Sequence, residues 1–199
     1  MFFRLRSNLS IVGIACVATL ALVAGCDVGA DDEGSLVSPE GNSSLAEARV
    51  FERFPLYFAG SAAGGFRLEA VQRTDRTSPA RYTEFAFLYG SCRAAGDRGC
   101  GVPLTILLWP ACYRYEQRYS IPARERVTVR GVPGRLSQDS RRLELYPARA
   151  TIVINGHGLE SRAALLAVAR ALRGVNTLLP AASPLPARPA HAGRTLRCR

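Results

Sequence analysis

Few side chains in this sequence can do chemistry. There are two histidines, six cysteines and sixteen carboxylates in 199 residues. His157 stands in Asn155-Gly156-His157-Gly158, between a strand-like run and the longest helical pattern. Loops at sheet ends are held in place yet exposed, so catalytic bases often occupy them. A base also needs a nucleophile and an orienting carboxylate. No Gly-x-Ser-x-Gly motif or other nucleophile setting is present. The simpler reading of His157 is a turn histidine before a helix. Glu116, Glu125, Glu144 and Glu160 could form a carboxylate pair, but their separation is not given by sequence, and abundant arginine makes structural ion pairs the default. His191 lies in the tail and reads as exposed. No catalytic residue, metal ligand or cofactor is assigned, and a hydrolase using His157 stands as the alternative function.

The cysteines fall into two sets. Residues 1–8 contain Arg4 and Arg6 and no acid, and the apolar run from Leu9 to Ala24 follows. Its 16 residues would reach about 24 Å as a helix, short of the roughly 20 residues a membrane span needs. A basic start, a short apolar core and small residues at its end describe a signal peptide over residues 1–25. Cys16 is then an apolar filler within it. The segment Leu22-Val23-Ala24-Gly25-Cys26 resembles the lipobox of bacterial lipoproteins. The resemblance implies cleavage after Gly25, diacylglycerol on the Cys26 thiol, and an extracytoplasmic protein held to a membrane by lipid. In some two-membrane bacteria an aspartate such as Asp27 resembles an inner-membrane retention signal.

Export would put Cys92, Cys100, Cys112 and Cys198 in an oxidising compartment. Four cysteines allow three pairings. The favoured one joins Cys92 to Cys100, closing the loop from Ser91 to Gly101, and Cys112 to Cys198, pinning the tail. Zinc is the rival, but no Cys-x-x-Cys occurs and neither histidine sits in a ligand pattern.

All 26 basic residues are arginine. A GC-rich genome explains the bias, yet arginine stays charged and grips carboxylate or phosphate through a planar fork. Residues 27–48 carry six acids and no base, a charge of −6. Residues 49–199 carry +14. An acidic, Gly/Ser-rich linker over 26–48 thus precedes a basic domain. Such a domain attracts anionic lipid head groups or wall polymers. Nucleic acid is not expected as a partner, because the location opposes it.

The elements that would position these groups read as follows. Ser44-Leu45-Ala46-Glu47 has capping-box spacing and predicts a short helix to Phe54. Strands are expected over Leu56–Ala59, Phe66–Arg73, Tyr82–Tyr89, Leu104–Trp109, Val127–Val132, Leu143–Tyr146 and Ala150–Ile154. Residues 60–65 read as a hairpin turn. Leu104–Trp109 is apolar throughout and predicts a central strand. Val132-Pro133-Gly134-Arg135 fits a type II turn. Leu159–Arg173 is the best helix, with Leu165, Val168 and Leu172 on one side and Gly174 placed to end it. Pro180, Pro184, Pro186 and Pro189 make the tail over 175–199 a spacer or a strap.

The expected fold is α+β: an antiparallel sheet of about six strands, with a C-terminal amphipathic helix packed on it, in a globular domain over 49–174. The portion from Val127 onward resembles a module of some extracytoplasmic lipoproteins. Residues 49–199 resemble the mature part of uncharacterised actinobacterial lipoproteins, which implies a habitat and no activity. The expected function is a lipid-anchored, non-catalytic binding module of the cell envelope.

Overall fold

In a computed structural model the described residues are 42–77, 81–91, 93–94, 100–114 and 123–188, with backbone alone at 42, 93, 94, 100, 123 and 124. The signal peptide, Cys26 and most of the linker lie outside them. The compact unit runs from Ser38 to Arg199.

The unit is rich in antiparallel sheet and has few helices. Its strands are β1 (Asn42–Ser43), β2 (Tyr57–Phe58), β3 (Ala62–Ala63), β4 (Phe66–Arg76), β5 (Tyr82–Tyr89), β6 (Arg93–Ala94), β7 (Cys100–Gly101), β8 (Leu104–Pro110), β9 (Ala123–Val129), β10 (Val132–Ser137), β11 (Arg142–Leu145), β12 (Ala150–Asn155) and β13 (Arg173–Gly174). The helices are α1 (Leu45–Val50) and α2 (Arg162–Ala171). Nine strands form the main sheet, in the order β1-β4-β5-β8-β12-β11-β10-β9 with β3 paired to β4. This corrects the expected count of about six. The extra strands are short pieces such as β1 and β3, which have no periodic run to announce them.

Alternation explains the two faces. Phe85, Phe87 and Tyr89 of β5 point into the core, as do Ile106 and Leu108 of β8, Leu143 and Leu145 of β11, and Ile152 and Ile154 of β12. β8 lies between β5 and β12, the central place its apolar run predicts. The same core contains Ala48 from α1, Leu165, Leu166, Val168 and Ala169 from α2, and Leu185 from the chain beyond α2.

Two hairpins turn on residues with positive φ. Gly64 and Gly65 have φ of 58° and 84°, which suits a two-residue turn between twisted strands. Arg130 and Gly131, at 51° and 82°, do the same between β9 and β10. The expected turn at Pro133-Gly134 is therefore corrected: both residues lie inside β10. Gly134 is needed there for closeness, since a Cβ would stand 2.5 Å from the Glu144 carbonyl oxygen.

The helices are shorter than their patterns. α1 begins with the expected capping box, Ser44 Oγ accepting from Glu47 N and Glu47 Oε2 from Ser44 N, but stops at Val50. α2 is capped by Ser161 and ends at Ala171. Leu159 is held back in a turn by its bond to the Gly156 carbonyl, 3.0 Å. Leu172 turns extended (φ −53°, ψ 136°). Gly174 does not end the helix; it pairs with Tyr57 in the small β13–β2 sheet. Nor does α2 close the fold. Leu185 N donates to the Arg130 carbonyl at 2.8 Å and Ala148 N to the Pro186 carbonyl at 2.8 Å. The chain over 183–186 is thus strapped across the domain.

Candidate anion-binding face

The outer face of the sheet carries the charge. Side chains directly opposite on antiparallel strands share a face. Arg126 of β9 lies opposite Arg135 of β10, and Arg135 lies opposite Glu144 of β11. The row continues through Val153 of β12 and Leu107 of β8. Arg126 and Arg135 are exposed. Like charges in opposed positions repel, so this pair does not favour the β9–β10 ladder. Among the described residues neither has an ion-pair partner.

Glu144 cannot neutralise both, because it carries one charge and is already paired with Arg142. Oε1 accepts from Arg142 Nη2 at 3.1 Å and Oε2 from the Tyr146 hydroxyl at 2.6 Å. Beside them, the Arg114 guanidinium lies 4.6 Å from the Tyr146 ring centre. Arg114 also donates from Nε to Thr151 Oγ1 and from Nη2 to the carbonyls of Pro147 and Ala150. Burial pushes the Tyr146 phenol well above its ordinary range, and the hydrogen bond to Glu144 adds to this. The phenol therefore stays a donor at neutral pH. The arrangement is a fixed Glu144–Tyr146–Arg114 base beside two free guanidinium forks, suited to holding phosphate or carboxylate groups.

At the other end of the sheet, Arg76 pairs with Glu84 at 3.1 Å and Arg73 with Asp75 at 3.0 Å. Asp75 is held below the usual carboxylate range, first by its hydrogen bond from Thr83. The Arg162–Glu125 pair joins α2 to β9. Glu125 and Glu144 are thus engaged with arginine, while Glu160 is exposed and Glu116 lies outside the described residues.

His157 sits exposed on the turn between β12 and α2. Among the described residues no carboxylate bonds to its ring. No three His, Cys, Asp or Glu side chains gather in the described region. His191, Cys92 and Cys198 lie outside the described residues, as does the Cys100 side chain. Cys112 is half-buried in a one-turn 3-10 helix after β8 and is disulfide-bonded; its partner falls outside the described side chains. The β6–β7 ladder sets Cys100 opposite Ala94.

Sequence reading missed the Arg126–Arg135 pair. The two positions are symmetric about Arg130-Gly131, so the signal was present but hidden by the misplaced turn. Compared with known proteins, the chain matches no family model, no curated protein and no solved structure. No described helix is long and apolar enough to cross a membrane.

Proposed function

We propose that the protein is a lipid-anchored, extracytoplasmic binding module of the cell envelope, without catalysis of its own. The anchor is diacylglycerol on Cys26, supported by Leu22-Val23-Ala24-Gly25-Cys26 at the end of a short apolar leader. In this reading the four later cysteines form disulfides, Cys92 with Cys100 and Cys112 with Cys198, and α2 covers the inner face of the sheet. The ligand is a repeating anion, an envelope polymer or lipid head group bearing phosphate or carboxylate. The observation that carries the binding assignment is Arg126 opposite Arg135 on an exposed sheet face, within a region of +14 charge.

The test is retention of the full chain on poly(glycerol phosphate) resin as salt is raised. Wild type should elute with a steep salt dependence. The double variant Arg126→Gln/Arg135→Gln should elute earlier, with affinity down by about tenfold, the effect of losing two charge-assisted contacts. Retention that is insensitive to salt, or identical in the double variant, overturns the assignment.

A further inference from the structure

Among the described residues two large apolar side chains stand open to solvent, Val50 and Leu178, 76% and 103% exposed. They lie far apart in the chain yet line one cleft of about 730 Å³. Phe51 and Phe54 form part of its wall, and Arg49 and Arg149 line it too, with Glu52 as the one acid. Neither arginine has an ion-pair partner among the described residues. Folding does not account for such tips. Apolar groups gathered on one exposed site mark a contact with something else.

The wall is held firmly. Asn176 Oδ1 accepts from Leu56 N at 2.7 Å, and its Nδ2 donates to the carbonyls of Phe51 and Phe54 at 2.5 and 2.9 Å. Arg149 Nη2 donates to the Arg53 carbonyl at 3.2 Å. Connectivity names the occupant. Cys26 precedes α1 by 19 residues, a reach of at most about 65 Å even when fully extended. A lipid on Cys26 keeps the domain within that distance of the bilayer. Apolar tips beside exposed arginines suit an anionic bilayer surface, the tips entering the acyl boundary and the guanidinium groups meeting phosphates.

We infer that this cleft is the face laid on an anionic bilayer, with Val50 and Leu178 inserted and Arg49 and Arg149 at the head groups. The inference rests on the acyl anchor proposed above.

Val50→Trp and Leu178→Trp report on it, since the natural chain has one tryptophan, the buried Trp109. Full chain purified from its host is reconstituted into phosphatidylglycerol-containing vesicles with brominated acyl chains, and flotation is read on the same samples. Each variant should lose up to about half its emission, because the interface places the new ring within contact of the bromines while Trp109 still emits. The wild-type chain should lose little. In vesicles of neutral lipid alone the loss should be smaller. A chain that floats while neither variant is quenched overturns the docking face and leaves the anchor standing. Equal quenching in neutral vesicles overturns the role of Arg49 and Arg149. A chain that does not float, and carries no acyl mass, overturns the anchor and this inference together.

Discussion

Arg130 shows how one side chain can close a fold. Its backbone takes a left-handed φ of 51°, unusual for a residue with a Cβ. Its guanidinium then donates to the carbonyls of Ser183 at 2.5 Å and Pro180 at 3.1 Å, and to that of Leu172 at the end of α2. One cation thereby joins a hairpin tip, a helix end and the strap. Arg130→Ala should destabilise the domain by about 3 kcal/mol, since several carbonyls lose a charged donor. Arg130→Gly should cost about 1 kcal/mol less, because glycine relieves the left-handed backbone. Arg130→Lys should fall between wild type and Ala, an ammonium being unable to span the fork. Denaturant melts give the ranking, and three equal losses would contradict it.

Titration belongs to the same scale. Burial raises the phenols of Tyr57, Tyr89 and Tyr146, with Tyr89 pushed up to about 12. Tyr89 is held in place as well, its hydroxyl accepting from Ala59 N and donating to the Gly60 carbonyl. A raised phenol pKa means the native state binds the proton more tightly than the unfolded chain. That contribution is complete below the unfolded value near 10 and is lost as pH rises through the folded value. Asp75 and Asp139 are depressed, chiefly by hydrogen bonds from Thr83 and Ser137. Their contribution is present above an unfolded value of about 3.9 and is lost as pH falls through the lower folded values. A near-ultraviolet titration should show Tyr57, Tyr89 and Tyr146 ionising late, accompanied by unfolding. Ionisation of these three near pH 10 with the fold intact would contradict the burial argument.

At the scale of elements, legibility followed periodicity. Tyr82–Tyr89 is a strand with the expected bounds because its aromatic alternation is uninterrupted. The central place of β8 was likewise readable from its apolar run. The capping box at Ser44 was visible because it is local. What failed was long-range. Pro133-Gly134 looks like a turn by local chemistry, yet Gly134 answers to a neighbouring strand. Gly134→Ala should therefore split the β10–β11 ladder and cost about 1–3 kcal/mol. Gly65→Ala, where a Cβ meets open space, should cost only the positive-φ strain of about 1 kcal/mol. Thermal melts of the two variants separate the causes, and equal losses would refute the close-approach reading. The candidate anion-binding face was hidden for the same reason: a misplaced turn breaks the register that sets Arg126 against Arg135. Asn176 was invisible because its three backbone partners lie more than a hundred residues away.

At the scale of the whole molecule the chain divides by charge. An acidic segment over 27–48 leads into a region of +14, and the described part of that region places free arginines on a sheet face and on an apolar-tipped cleft. A soluble basic protein would meet polyanions at random. In the proposed function, acylation at Cys26 fixes one end at a membrane, and both surfaces take their meaning from that setting.

Intact and peptide mass spectrometry of the protein from its native host tests that setting most directly. The account predicts a mature chain beginning at Cys26, with residues 1–25 gone and diacylglycerol in thioether linkage on the sulfur. A chain beginning at Met1, or an unmodified thiol at Cys26, would contradict it.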